Sequence, residues 1–217
     1  MGSLRLDIDG VLVRDKLLLE HVKENCVRYV AAKLPDCKDP RGTNALLYKT
    51  YGHTARGLQR TFQVNTSDFN KKVYDKSLIA HLADVLQTKE FQKEAEMIHG
   101  LTSQGWDITL FTNSPWVWAY RVALAIGDNV SVRCPGNPND SFLKPEIEAY
   151  IFSLQEFNVM VDDSLNNLEP VRYIPNWHSI HFTDTPTSDA WCSQVTSIEE
   201  LCEGLGDVPP SGPKDTP

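Results

Sequence analysis

Two carboxylates one residue apart, in Asp7-Ile8-Asp9-Gly10, close a short apolar run near the start of this 217-residue chain. With that spacing one peptide segment can supply both a nucleophile and a proton donor, the pair that phosphoryl transfer needs. A carboxylate attacking phosphorus forms an aspartyl phosphate and splits one difficult hydrolysis into two steps. The second carboxyl protonates the leaving oxygen and then activates water. Alone, the pattern is more often a strand-end turn or a pair of surface carboxylates. A calcium loop is excluded, because Arg5 and Lys16 would occupy the first and last positions, where acidic ligands are required.

Three further segments follow in order. Leu110-Phe111-Thr112-Asn113-Ser114-Pro115 is an apolar run ending in a hydroxyl and an amide just before a helix start, where free backbone N–H groups bind phosphate oxygens. Its plain alternative is a helix cap. Lys144 precedes a proline at a second helix start, a poor place for a cation unless an anion lies nearby; taken alone it reads as a solvated lysine. Asn158-Val159-Met160-Val161-Asp162-Asp163-Ser164 is an apolar run that ends in adjacent acids, in isolation a loop with two solvated carboxylates. Carboxylates gathered at the ends of neighbouring strands repel strongly without a cation, and magnesium is the natural occupant. The ion would let Asp7 approach an anionic substrate. Four such signals in one order make coincidence improbable.

The elements that must position these residues are legible. Leu4 to Asp9, Trp106 to Thr112, Asn158 to Val161 and Ser179 to Phe182 read as strands, with a weaker one at Val130 to Arg133. Helical patterns lie between them. Ser114 as a capping hydroxyl and Pro115 in the first turn introduce Trp116 to Ile126, which Gly127 stops, and Lys144-Pro145 opens a helix from Glu146 to Phe157. Such alternation predicts an α/β fold, a Rossmann-like three-layer parallel-sheet core. Residues 16–88 differ: Val22, Cys26, Val30 and Leu34 recur at helical spacing, Leu46, Leu47, Tyr51 and Leu58 look helical, and no convincing strand appears. This predicts a helical cap inserted after the first strand, where a lid would sit, with residues 1–15 and 89–203 forming the core and a disordered tail from 204 to 217. The 135–140 loop has turn composition and no assignable role.

Bulk properties narrow the function. A net charge of −8 argues against a nucleic-acid surface but not against a small phosphorylated metabolite, since a bound cation can reverse the local field. No run approaches the roughly 20 apolar residues of a membrane span, and the N-terminus leaves no room for an export signal. The five cysteines show no metal-ligand spacing, and their odd number suits a reduced compartment. A cytoplasmic protein is the expectation.

The ordered set Asp7-Ile8-Asp9, Thr112-Asn113, Lys144 and Asp162-Asp163 resembles the four motifs of the haloacid-dehalogenase superfamily, across about residues 4 to 185. That resemblance implies Asp7 as nucleophile and Asp9 as general acid and base. It implies Mg²⁺ held by the Asp7 carboxylate, the Asp9 backbone carbonyl and the Asp163 carboxylate, with Asp162 behind them. Thr112 and the Asn113 backbone would hold phosphoryl oxygens, Lys144 would neutralise charge on Asp7 and the phosphoryl group, and Asn167 falls where the family often places a polar partner for that lysine. Arg5 departs from the apolar first strand of the family. The long stretch from Asp7 to Thr112 leaves room for a helical cap, and the short one from Lys144 to Asp162 leaves none, as in the first cap class.

Within the cap, Tyr48-Lys49-Thr50-Tyr51-Gly52-His53-Thr54-Ala55-Arg56-Gly57-Leu58 is similar to the Y-x-x-Y-G-x-x-x-x-G-L segment of the pyrimidine 5′-nucleotidase branch. This implies a substrate class of nucleoside monophosphates or similar small phosphates. Tyr51 offers a stacking face, Gly52 a close backbone approach and Arg56 a planar donor, although Tyr51 and Leu58 also suit a helical core. Competing readings are a phosphomutase or sugar-phosphate phosphatase of the same fold, a dehalogenase, which would not need Asp9, and a catalytically silent nucleotide-binding protein.

Overall fold

The computed structural model describes residues 2–134, 142–151, 155, 157–188 and 190–206. The chain divides into two compact units, Met1–Val13 with Leu86–Pro217, and Arg14–Val85. In the first unit six parallel strands, β1 (Gly2–Leu6), β2 (Trp106–Phe111), β3 (Val130–Arg133), β4 (Phe157–Asp162), β5 (Trp177–Phe182) and β6 (Ser193–Val195), form one sheet in the order β3-β2-β1-β4-β5-β6. α-Helices lie in the crossovers from β1 to β2, β2 to β3 and β4 to β5, giving the α/β Rossmann-like architecture expected. The first strand starts and ends earlier than the sequence suggests, at Gly2 and Leu6. Asp7 still donates its N–H to the Val161 carbonyl at 2.9 Å, but the chain then turns back as the N–H groups of Leu12 and Val13 both reach the Ile8 carbonyl.

Burial follows strand period. Leu4, Leu6, Ile108, Leu110, Val159 and Val161 point to one face of the sheet and are sealed from solvent. The other face holds Phe111, Met160 and Trp177, packed with Ala149, Tyr150, Leu168 and Val171. Arg5 lies on a strand paired on both sides and is 1% exposed, so β1 is buried despite its charge. Its guanidinium carbon sits 5.5 Å from the Trp177 ring centre. Burial brings its pKa down to about 10, with Asp107 favouring the charge and Arg133 opposing it.

Two helical expectations are corrected. Helix Trp116–Ile126 forms, but Pro115 is its cap residue and no side-chain hydroxyl caps it; Ser114 is used elsewhere. Among the described residues from Glu146 to Phe157 there is a 3-10 turn, Ile147–Ala149, in place of the start of the expected helix, and β4 begins at Phe157. Tertiary packing overrides the helical pattern, because Ala149 and Tyr150 are drawn into the core against the sheet. Residues 152–154 and 156 of the expected helix lie outside the described residues. The chain also adds the short edge strand β6 and a helix, Ile198–Gly206, so residues 204–206 are helical rather than tail. The remainder of the expected tail and the 135–140 loop lie outside the described residues.

Numbering helices in chain order, the second unit contains α1 (Lys16–Lys33), α2 (Pro40–Tyr51), α3 (Thr54–Phe62), α4 (Phe69–Val73) and most of α5 (Lys76–Leu86), with no strand. The core unit carries α6 (Lys89–Ser103), α7 (Trp116–Ile126), α8 (Leu165–Leu168) and α9 (Ile198–Gly206). Asp15 and Asp39 cap α1 and α2 by accepting from the N–H groups of Leu18 and Gly42 at 2.7 and 2.9 Å. Tyr29, Val30, Leu47, Ala55, Leu58, Phe69 and Val73 make a separate apolar core.

Two helical glycines should respond oppositely to alanine. A Cβ on Gly57 would lie 2.8 Å from the Leu47 Cβ, where α2 and α3 cross. One on Gly100 in α6 meets nothing within 4 Å. Chemical denaturation should show Gly57→Ala losing about 1–3 kcal/mol through overpacking, whereas Gly100→Ala should gain up to about 1 kcal/mol from helix propensity.

Candidate active site

The strand order reverses around β1: β2 and β3 lie to one side, and β4, β5 and β6 to the other. In parallel sheets the carboxyl ends of strands at such a reversal form a crevice. Asp7 follows β1, Thr112 follows β2, and Asp162 ends β4, so the sheet brings together three motifs far apart in sequence.

The centre of the cluster is a buried cation. Lys144, 1% exposed, places Nζ 2.6 Å from Asp162 Oδ2 and 3.0 Å from Asp7 Oδ1. Burial would lower its pKa, but the two carboxylates outweigh that and hold it above the ordinary value. Asp7 is pushed well above the usual carboxylate range by burial; Lys144 opposes the shift, while Asp162, Asp163 and Asp9 add to it. The Ile8 N–H also donates to Asp7 Oδ1, at 2.8 Å. Both donors hold Oδ1, which leaves Oδ2 as the oxygen free to approach an electrophile.

Asp162 is fully engaged. Its Oδ1 accepts from the Ser164 N–H at 2.9 Å and Asn167 Nδ2 at 3.0 Å, and its Oδ2 accepts from Lys144 and, at 3.2 Å, from Asn167. Asn167 therefore acts on Asp162 and only through it on the lysine. The Tyr150 hydroxyl donates to the Asn167 carbonyl at 2.6 Å. The same lysine is tied to the loop after β2: Asn113 Nδ2 donates to the Lys144 carbonyl at 2.8 Å, and the Lys144 N–H donates to Asn113 Oδ1 at 3.0 Å. The Asn113 side chain thus positions Lys144, a role the sequence did not reveal. Thr112 is buried, and its Oγ1 accepts from the Ser114 N–H at 3.1 Å, which leaves its own O–H to donate.

Asp9 is held from α7 and the residues just before it. Ser114 Oγ hydrogen-bonds Asp9 Oδ2, and Trp118 Nε1 donates to Asp9 Oδ1 at 2.9 Å. Burial raises the Asp9 pKa, and these two hydrogen bonds oppose the rise. Sequence reasoning missed both residues as site groups. Ser114 stands just before the cap of α7 and Trp118 in its first turn, so no helical periodicity in the sequence linked them.

Oxygens of Asp7, Asp162 and Asp163 lie within 4.8 Å of one another. All are hard ligands of the kind magnesium takes. Because Asp162 is consumed by its hydrogen bonds, Asp7 and Asp163 are the carboxylates with capacity left for an ion. Asp163 is solvent-exposed, yet desolvation by the protein around its carboxyl, and then Asp162, push it up to about 7, with Lys144 opposing. Its carboxylate crowds the turn after β1, where a Cβ on Gly10 would lie 2.2 Å from Asp163 Oδ2 and the backbone has φ +87°. Only glycine fits there. The His181 ring nitrogen Nε2 donates to the Asp163 carbonyl at 3.0 Å. This acid-rich donor set fits a divalent cation.

Tyr51, Gly52 and Arg56 lie in the helical unit. Gly52 has φ +67° and ends α2 as its left-handed cap, which accounts for glycine there by backbone conformation. Tyr51 packs on that unit's core, and its hydroxyl accepts from Thr61 at 3.2 Å. Leu58 is fully buried in the same core. Arg56 is partly exposed, and its backbone N–H donates to His53 Nδ1 at 3.4 Å.

Solved structures share this architecture. A haloacid-dehalogenase phosphatase from Thermococcus onnurineus superposes with a TM-score of 0.60 at 15% identity, over 95% of this chain and 98% of that one. The fold is that of the haloacid-dehalogenase structures. A protein assigned as a beta-phosphoglucomutase from Thermotoga maritima gives 0.52 at 19% identity, over 96% and 100% of the two chains. A haloacid dehalogenase-like family hydrolase from Xanthomonas campestris gives 0.50 at 14%, over 94% and 90%. No protein-family profile and no curated sequence matches the chain. Among the described residues no helix is long and apolar enough to cross a membrane, and the five cysteines are free thiols.

The Asp163 carboxyl gives this site a pH signature. With its pKa raised from 3.8 to about 7, it favours the folded state fully below about pH 4, and that contribution is lost as pH rises through about 7. In chelator, Asp163→Asn should match wild type in melting temperature near pH 4 and exceed it at pH 8. The difference should be under about 1 kcal/mol, because the group is exposed and screened. Magnesium should raise the wild-type value and leave the variant nearly unchanged.

Proposed function

We propose that the chain is a magnesium-dependent phosphohydrolase that forms an aspartyl phosphate on Asp7. Its substrates are small phosphomonoesters, with pyrimidine nucleoside 5′-monophosphates the favoured class. The observation that carries this reading is the buried Lys144 ammonium shared by Asp7 and Asp162, with Asp9 held two residues beyond the nucleophile. Lys144 and the Ile8 N–H fix Asp7 by one oxygen, so the other attacks phosphorus in a set direction. The positive charge of Lys144 also offsets the approach of an anionic ester. Thr112 donates its hydroxyl to a phosphoryl oxygen, and the backbone of Asn113 stands beside it. Asp9 protonates the leaving oxygen and then takes a proton from the water that cleaves the aspartyl phosphate. Mg²⁺ held by Asp7, the Asp9 carbonyl and Asp163 would offset the charge of nucleophile and phosphate and polarise the phosphoryl oxygens.

The nucleotide assignment is supported by the Tyr51-Gly52 and Arg56 segment, whose ring and guanidinium have the chemistry to stack on a base and to bind carbonyl oxygens. A phosphomutase is the second reading. It would use the same Asp7 and Asp9 but return the phosphoryl group to a sugar phosphate, and the likeness to the Thermotoga protein favours it over a dehalogenase. Retention of the complete acid, lysine and hydroxyl set argues against a silent binding protein.

A phosphate-release panel of UMP, CMP, AMP and sugar phosphates, run with magnesium and with chelator, tests the assignment. Activity should require magnesium or manganese and be inhibited by calcium, whose longer bonds and higher coordination misalign the nucleophile. Asp7→Asn should lower turnover more than about 10³-fold without loss of fold. Residual magnesium-dependent activity well above that level would remove Asp7 from its role. Pyrimidine monophosphates should lead in kcat/KM, and Tyr51→Ala or Arg56→Ala should alter the ranking. Sugar phosphates winning outright would sink the nucleotidase reading and leave the broader one standing.

A further inference from the structure

Asp9 is the proton donor of the proposed phosphohydrolase, and the roles of its two hydrogen-bond partners rest on that assignment. Its carboxyl is gripped at both oxygens from one stretch of chain, by Ser114 at Oδ2 and by Trp118 at Oδ1. The two donors differ in kind. An indole N–H only donates, whereas a hydroxyl donates or accepts by rotating its hydrogen. Trp118 is fully buried on α7, unlike Trp116 two positions before it, which is 42% exposed. Its ring therefore cannot leave Asp9 without breaking core packing. An oxygen that must always accept from a fixed N–H is the carbonyl-like oxygen of the acid form, because the hydroxyl oxygen of a carboxylic acid is the weaker acceptor.

We propose that Trp118 and Ser114 are positioning residues for proton transfer by Asp9. Trp118 fixes Oδ1 as the permanent acceptor, and the Ser114 hydroxyl, which donates to Oδ2 in the structure, turns to accept when Oδ2 carries the proton. In the first step the Asp7 oxygen bonds to phosphorus as the bond from phosphorus to the leaving oxygen breaks. The proton on Oδ2 passes to that leaving oxygen, and the Ser114 hydroxyl turns to donate to the new carboxylate. In the second step water bonds to phosphorus, the Asp7 oxygen departs, and the water proton returns to Oδ2 as Ser114 turns back to accept. Without the Trp118 N–H the proton can reside on either oxygen and the carboxyl is free to rotate about its bond to Cβ, so fewer encounters present a proton to the leaving group.

The test uses single-turnover phosphorylation of the full chain with magnesium, comparing UMP, whose leaving alkoxide needs a proton, with p-nitrophenyl phosphate, whose leaving phenolate does not. Trp118→Phe should slow the UMP reaction about 10–100-fold and the aryl ester by less than about threefold. Magnesium affinity by calorimetry should be unchanged. In the Asp9→Asn background, where there is no proton to place, Trp118→Phe should cost nothing further. Benzothienylalanine at position 118, which keeps the ring shape and lacks the N–H, should reproduce the effect even where phenylalanine disturbs folding. Ser114→Ala should show the same leaving-group dependence, and Ser114→Thr should restore activity. If wild type cleaves neither ester, the underlying phosphohydrolase reading fails; if Asp9→Asn cleaves UMP as fast as wild type, the role of Asp9 fails. If both stand, equal losses on the two esters, or an undiminished loss in the Asp9→Asn background, would overturn the positioning role.

Discussion

The structure turns on one buried ammonium. Moving a lysine charge out of water costs several kcal/mol, and it is tolerated only where opposite charge and hydrogen bonds surround it. Lys144 meets that condition between Asp7 and Asp162, and the demand spreads outward. Asp162 must be held, so Asn167 and the Ser164 N–H bind it. Asn167 must be placed, so Tyr150 reaches its carbonyl. The lysine backbone must be set, so Asn113 clasps it with two hydrogen bonds. Each is a local side chain to backbone or side chain to side chain bond, and together they tie β1, β4, the loop after β2 and the 3-10 segment into one network.

That network has a chemical consequence. With Asp162 consumed, the charge left over belongs to Asp7 and Asp163, which stand close without a partner equal to both. Burial first, and the neighbouring carboxylates after it, raise the pKa values of both groups, and a divalent cation between them would relieve that repulsion. Gly10 completes the arrangement, since any side chain there would strike Asp163. Its place in the Asp7-Ile8-Asp9-Gly10 motif is thus explained by space as well as by turn conformation.

The helical unit shows how a motif can serve architecture. Gly52 supplies a left-handed helix end, Gly57 permits α3 to lie close on α2, and Leu58 fills the core between them. These three requirements account for much of the Y-x-x-Y-G-x-x-x-x-G-L spacing. The proposed substrate class rests on the side chains of Tyr51 and Arg56, which these three requirements do not explain.

The sequence alone determined the strand-helix alternation and the four ordered segments, because apolar runs, glycine stops and strand-end acids are local signals with local causes. Trp116–Ile126 and the four strands around the site followed from them within a few residues. It could not determine that Ser114 would abandon a capping role for Asp9, or that Trp118 would join it, because both choices depend on β1 and β2 lying side by side. Nor could it show that the described residues just after Pro145 would form a 3-10 turn, since burying Tyr150 against Phe111 and Trp177 outweighs helical propensity there. Arg5 is the clearest case: a charge in a first strand argues for exposure, yet its neighbours on both sides of the sheet enclose it and an aromatic ring shields it. Spacing set which residues could act, and only the parallel pairing of β1 with β2 and β4 decided which of them meet, because hydrogen-bond registry places groups a hundred positions apart within bonding distance.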